Sequence, residues 1–358
     1  MPTMTLDDAR AQFPGVRGYL AACTLGLPTL GTTEALAVDL AAWRDARTDA
    51  ASYGVLVERV RASYASLVGI PLRNVAIGSQ TSAMVSVVAA SVPDGADILC
   101  VDGDFSSLIA PFLMHAHRGV RVRHASLDQL AEHVTASTWL VAYSAVQSSS
   151  GAVADIAAIR AAAADHGALT LSDVTQAAGW LPVDASGDDI TVCHAYKWLC
   201  SPRGVAFMTV RDEVLDRLRP VQAGWYSGDD VWSSCYGPSL HLAGDARRFD
   251  VSPAWQAWVG AESAIALFAE VDQEEVRAHD VRLAGRMAAG LGLPGPRTPE
   301  LASAIVTWPD PDGRDLRALQ TAGITASGRA GRARVAFHLW NTDDDVSAAL
   351  TALGRPRD

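Results

Sequence analysis

The chain has 358 residues, 49% hydrophobic and 19% charged, a packed globular composition with room for about two domains. Its net charge of −11 argues against a general nucleic-acid binder, and the opening MPTMTLDDAR is acidic where a signal peptide is basic and then apolar. No apolar run reaches the ~20 residues of a membrane span, and five cysteines without a CxxC pair or an even framework point to a reduced, soluble, cytoplasmic protein.

In chain order, residues 1–30 form a segment expected to pack beside a site or against the C-terminal part. NVAIGS (74–79) predicts a strand entering a turn, with a helix from about Ser82 to Ser91 after it. ADILCVDG (96–103), GVRVRHA (119–125) and STWLVAYSAV (137–146) predict three more strands. ADIAAIRAAAADHG (154–167) is amphipathic and stops on glycine, a helix C-terminal signal. ALTLSDVTQ (168–176) and ITVCHAYK (190–197) predict strands running into polar tips, and GVAFMTVR (204–211) a last strand. The stretch 224–258, rich in Trp, Tyr, Gly and Pro, reads as a long loop over a site. Its Trp225, Tyr226 and Trp255 either pack that loop or line a pocket. The helix 259–271 closes a large domain, 31–271. Residues 272–358 follow a helix, strand, helix, strand, helix pattern, a smaller α+β domain. Short strands alternating with helices predict an α/β fold with a mostly parallel sheet. Ligands of such sheets bind beyond the carboxyl ends of the strands, so the polar tips are the candidate site.

Among the 29 basic residues Lys197 is the only lysine; the other 28 are arginines. Arginine replaces lysine as a surface cation, but not where a neutral primary amine must attack a carbonyl, because the guanidinium does not deprotonate. Lys197 lies at a strand tip with His194 and Tyr196. Asp173 and Gln176 lie at the preceding tip. Gly78, Ser79, Gln80 and Thr81 form a turn that opens a helix, whose free N–H groups and partial positive charge favour an anion. A carboxylate at one tip and the lone lysine at the next suit a flat cofactor bearing a phosphate and an aldehyde.

GALTLSDVTQAAGWLPVD followed by VCHAYKWLCSPRG resembles the class V aminotransferase family of fold-type I pyridoxal-phosphate enzymes. That group holds cysteine desulfurases, selenocysteine lyases, isopenicillin N epimerase-like enzymes and kynureninase. The resemblance continues through YLAACTLGLPT, GSQTSAM, GDFSSLIAPF, YSAVQSSSGAVADI, RRFDVSPAW and RARVAFHLWNTDDDV, in the family's order. It implies a mostly parallel seven-stranded sheet, pyridoxal 5'-phosphate as cofactor, an amino-acid substrate and a homodimer with sites at the interface. By resemblance Lys197 is the Schiff-base lysine and proton carrier, Asp173 pairs with the pyridine nitrogen and Gln176 with the 3-hydroxyl. Gln80, Thr81, His194 and Tyr196 are implied to hold the phosphate, with Ser252 reaching it from a neighbouring subunit. Phe105 stacks on the ring, Ser148 takes the place of a substrate-facing asparagine, and Arg334, with Arg329 as a second candidate, clamps the substrate carboxylate. His338 reads either as substrate-facing or as a packed histidine.

Desulfurases of the group carry a nucleophilic cysteine shortly before that arginine, whereas TASGRAGRARV (325–335) has none. Cys23, Cys193 and Cys200 read as small buried residues away from the chemistry. The expected reaction is a C–S lyase-type β-elimination on an amino acid or its S-conjugate. Transamination and epimerisation remain open, and a non-catalytic binding protein on the same fold is the reading from another class.

Overall fold

The structure, a computed structural model, describes residues 4–355. The first three residues of the acidic opening and the last three of the C-terminal segment lie outside the described residues. Among those described, no helix is long and apolar enough to cross a membrane.

Seven strands form the main sheet: β1 (Val75–Gly78), β2 (Asp97–Val101), β3 (Arg121–Ala125), β4 (Thr138–Ser144), β5 (Leu169–Asp173), β6 (Ile190–His194) and β7 (Ala206–Val210), in the order β1-β7-β6-β5-β4-β2-β3. They are the seven runs legible in the sequence. Only β7 is reversed, antiparallel to both β6 and β1. The other six strands therefore end on one edge. β1, β2, β5, β6 and β7 are buried along their whole length and β4 at every residue but half-buried Trp139, as apolar runs covered on both faces should be. β3, with exposed Arg121 and His124, is a charged edge strand that discourages further pairing.

Strand alternation splits the core into two layers. Val75, Ile77, Cys193 and Phe207 face the helices Ala50–Leu67 and Trp255–Glu270, where Tyr64 stacks on Phe207 at 3.9 Å. Ala76, Ile98, Val192 and Met208 face the helices Thr81–Ser91 and Ser106–Leu113. The Trp255–Glu270 helix begins four residues before the predicted position 259, so part of the supposed aromatic loop is its first turn. Ahead of it, buried Asp250 accepts two bonds from buried Arg61 (3.0 and 2.6 Å) and one from the Ile77 N–H (2.8 Å), tying this segment to β1.

Beyond the helix Gln273–Gly290, β8 (Ile305–Pro309), β9 (Ser327–Arg329) and β10 (Arg332–Ala336) make an antiparallel sheet in the order β8-β10-β9, flanked by the helices Arg314–Thr321 and Asp343–Ala352. β9 is an element the sequence pattern did not announce. Ala330 and Gly331, both at positive φ (49° and 71°), turn the chain tightly enough to pair three residues back on β10. Leu283, Met287, Trp308, Val335, Phe337 and Leu350 give this sheet its own core, to which Leu20 adds. The N-terminal segment bridges to it at Tyr19–Thr325 and Ala21–Ala336, then turns towards the main sheet, where the Gly26 N–H donates to Tyr196 O (2.9 Å).

Candidate functional site

The strand tips at the common edge of the main sheet enclose a cavity of about 180 Å³. Gln80, Thr81, Phe105, Ser148, Asp173, Gln176, His194, Tyr196 and Lys197, all named from the sequence, line it together. Ser252 does not; it is exposed on the segment behind Asp250. Arg334 and Arg329 are not in the lining either, although both charges are felt by Lys197.

Lys197 sits in a tight turn after β6 and is 6% exposed. The Cys200 N–H closes the turn on Lys197 O at 3.1 Å, with Cys200 itself at φ 54°. Neighbouring backbone lies so close that only glycine fits. A Cβ on Gly26 would stand 2.0 Å from Lys197 O, and one on Gly179, at φ +111°, 2.6 Å from Trp198 O. Burial pulls the ammonium down to about 8, against the pull of Asp173 in the other direction. The amine is thus neutral in a useful fraction near physiological pH. Its Nζ lies 5.4 Å from the Phe105 ring centroid.

Asp173 ends β5, fully buried, and accepts a bond from the Thr175 N–H at 2.9 Å. Burial raises its pKa, opposed by the Thr175 bonds and Lys197. A buried carboxylate of this kind gains from a cationic partner such as a protonated ring nitrogen. Gln176 spends part of its amide on the protein: Nε2 donates to Cys23 O (2.9 Å), and Oε1 accepts from the Trp198 indole (2.7 Å). The second Nε2 hydrogen is left for the cavity.

The opposite end of the cavity suits an anion. The helix Thr81–Ser91 starts there, and its cap residue Gln80 makes no side-chain capping bond. His194 Nε2 is buried without a hydrogen-bond partner, and its ring packs edge-on against Tyr196 at 4.3 Å. Burial, then Arg203 and Lys197, hold His194 down at about 4, so the ring is neutral and Nε2 can carry a proton to donate. Arg203, whose guanidinium lies 4.4 Å from the Tyr196 ring centroid, lines the same end. An orphaned histidine nitrogen, an uncapped helix and a cation at one end, with a lysine and a buried carboxylate at the other, fit pyridoxal phosphate.

Sequence reasoning passed over Ser82, Ser107, Ser144, Thr175 and Arg203. Arg203 had a signal, since it follows the lysine tip in SPRG; Thr175 lies inside the DVTQ motif itself and joins the β5 and β6 tips by accepting the His194 N–H (3.0 Å). Buried Asp104 was also missed. It caps Phe105 N–H (2.6 Å) and accepts from Ser144 Oγ (2.6 Å) and Gln147 Nε2 (3.1 Å), fixing the loop that presents Phe105. Phe105 is itself 43% exposed, an open aromatic face rather than core.

Arg334 projects from β10 away from Ala333 and Val335, which enter the small core, and is only 1% exposed. It donates to Ser327 Oγ (3.1 Å), Thr24 Oγ1 (2.8 Å) and the Ser148 carbonyl. Among the described residues no carboxylate pairs with it. Burial accordingly lowers its pKa. Arg329 is exposed and donates to Gly328 O. The reading of Cys23 needs correction. It is buried, but it lies beside Arg334 and Lys197, because the N-terminal segment crosses from the small sheet to the Lys197 turn. His338 is wholly buried and outside the cavity, the packed alternative. Trp225, Tyr226 and Trp255 line a separate surface hollow with Trp232, not this cavity.

Fold and site together define a fold-type I pyridoxal-phosphate-dependent enzyme. The chain belongs to the aminotransferase class-V family, whose profile matches residues 40–298. It is 29% identical over 321 residues to the uncharacterized aminotransferase YcbU of Bacillus subtilis, covering 82% of each chain. It is 30% identical over 252 residues to a kynureninase of Deinococcus radiodurans, 67% of this chain and 60% of that one. In three dimensions it resembles the apo structure of a cysteine desulfurase from Thermococcus onnurineus NA1, with a TM-score of 0.85, 19% identity and coverage of 99% and 98%.

Proposed function

We propose that this enzyme removes a sulfur group from Cβ of an amino-acid S-conjugate by β-elimination: RS–CH2–CH(NH3+)–COO− and water give RSH, pyruvate and ammonium. The observation that carries an amino-acid substrate is Arg334, a buried guanidinium with three neutral partners and, among the described residues, no carboxylate, beside the only lysine. A substrate carboxylate would supply the missing charge through a bidentate pair.

Bound pyridoxal phosphate supplies an aldehyde for the substrate amine and a ring that accepts an electron pair from Cα. The remaining work belongs to the protein. Thr81, Ser82, His194, Tyr196 and Arg203 would hold the phosphate at the helix N-terminus, with Gln80 turning the chain into it. Asp173 would keep the ring nitrogen protonated, Gln176 would donate to the 3-hydroxyl and Phe105 would pack against the ring. Arg334 fixes the carboxylate, and so the direction in which the Cα–H bond points, with Ser148 beside it and Arg329 at the rim. Lys197 would take that proton as a neutral amine and could then return it as an acid to the departing sulfur.

The segment 325–333 carries no thiol ahead of Arg334, which favours release of sulfur over its transfer to a protein cysteine there. The unpaired state of all five cysteines supports a reducing, cytoplasmic setting. The helix Leu30–Arg44 leaves Leu30, Val38, Leu40 and Trp43 exposed around its girth, apolar surface that supports a homodimer to which Ser252 would contribute.

The test is to incubate the loaded enzyme with cystine and S-substituted cysteines in deuterated water. Elimination gives thiol or persulfide, pyruvate and ammonia in equal amounts. A keto acid without released sulfur would make the reaction a transamination, and the D-amino acid with deuterium at Cα an epimerisation; either overturns elimination. Failure of borohydride to attach a pyridoxyl group to Lys197 would leave a binding protein.

A further inference from the structure

Two buried ionisable side chains outside the cavity are used by none of these roles. His338 follows β10, and Asp280 lies on the helix Gln273–Gly290; neither is exposed to solvent. His338 Nδ1 lies 3.1 Å from Asp280 Oδ2, and Nε2 lies 2.8 Å from the carbonyl oxygen of Trp198, the residue after Lys197. The imidazole is clamped on all sides. It stacks on Phe268 at 7° and 5.4 Å and meets the edges of Trp198 and Trp340 at 5.2 and 4.9 Å.

The hydrogen count fixes what the pair does. A carbonyl oxygen only accepts, so Nε2 carries a hydrogen. One further proton is shared between Nδ1 and Asp280, whose carboxyl burial raises to about 6 and whose Oδ1 has no partner. In either arrangement Nε2–H still donates to Trp198. The facing groups do not disturb this: His279, held down at about 4, and Cys200, its thiol pushed up by burial, are neutral, which leaves Arg10 as the cation near the pair. From Trp198 the chain of contacts continues into the cavity, because its indole N–H holds Gln176 Oε1 and Gln176 in turn holds Cys23 O.

We propose that Asp280 and His338 are positioning residues for Lys197 and Gln176, gripping the lysine turn through the Trp198 carbonyl and so coupling the C-terminal sheet to the cavity. This rests on Lys197 being the reacting amine. The side chain must return to one place twice in each turnover, and a displacement of the order of 1 Å costs roughly a hundredfold in rate. The turn is held at Tyr196 O by Gly26, at Lys197 O by Cys200 and at Trp198 O by His338. Trp198 O also accepts from the Cys200 thiol at 3.7 Å, a weak donor, which leaves the imidazole as its strong side-chain partner.

The test compares His338→Leu, which fills the space without a donor, with His338→Gln, which keeps an N–H for Trp198 O, and with Asp280→Asn. Each is loaded with pyridoxal phosphate. In His338→Leu we expect kcat to fall about tenfold or more at an unchanged KM, slower borohydride trapping on the Lys197 peptide, and a displaced pH midpoint of the visible absorbance. His338→Gln should restore most of all three. A lower melting temperature with unchanged trapping, absorbance midpoint and kcat would overturn the proposal and make the pair a packing contact. Should His338→Leu not fold, Trp198→Phe removes the indole donor to Gln176 together with part of the ring packed on Trp180 and His338, and an unchanged spectrum and kcat there would overturn the coupling. No adduct on Lys197 in the unaltered protein would instead sink the reading of Lys197, and the positioning role with it.

Discussion

Replacing Lys197 with Met should abolish turnover and, in the cofactor-free protein, strengthen the fold. Burial lowers this lysine from 10.5 to about 8. Above pH 10.5 neither the folded nor the unfolded chain protonates it. As pH falls from there to 8, the unfolded chain takes up a proton that the folded chain refuses, and stability drops by about 1.4 kcal/mol per pH unit. Below pH 8 both states are charged and the deficit stays constant, at about 3 kcal/mol for a shift of this size. Methionine has nearly the same length and no charge to bury, so Lys197→Met removes the deficit. Urea unfolding of both cofactor-free proteins at pH 7 and pH 10.5 measures it. The variant should be the more stable by about 3 kcal/mol at pH 7, with the gap closing at the higher pH. Groups remote from Lys197 that titrate in this range cancel in the difference. A gap independent of pH, or a less stable variant at pH 7, would refute the reasoning.

Arg334→Ala should lower kcat/KM by about 10- to 100-fold, mostly through KM, for a lost charge-assisted pair of roughly 1.5–3 kcal/mol. Arg334→Lys should recover little of it in the same steady-state assay, since an ammonium cannot make the planar two-point contact. Asp250→Asn takes away the buried partner of Arg61, leaving it only the half-exposed Glu58 carboxylate at 2.9 Å, and should cost about 3 kcal/mol in urea unfolding. Gly26→Ala drives a Cβ into Lys197 O, so the visible-to-ultraviolet absorbance ratio of the purified protein should show lost cofactor.

The seven strands of the main sheet were legible because each is a short apolar run bounded by turn residues, and the tips were legible because parallel sheets expose their chemistry there. Asp173, Gln176 and Lys197 stood out at two successive tips, and the roles expected of them came from the resemblance to the class V family. What the sequence hid depends on contacts distant in the chain. Cys23 reaches the site only because residues 19–21 first bridge to the small sheet. The fate of His338 was undecidable without its Asp280 partner 58 positions earlier. Arg203 was overlooked for a different reason: it is one of 28 arginines, and its one local mark is its place in SPRG just after the lysine tip, where it covers Tyr196. The hairpin at β9 rests on a left-handed alanine, which residue type alone does not announce.

The lone, almost wholly occluded lysine has a consequence for the chemistry of the chain's exterior. With arginine at every other basic position, the described surface offers reactive aldehydes, acyl donors and cyanate no side-chain amine to attack. Modifications that accumulate with age or metabolic stress on lysine-rich proteins would find their only lysine target at the bottom of a cavity, behind whatever occupies it. For this chain, amine damage and loss of function would be one event, and an occupied site its own shield.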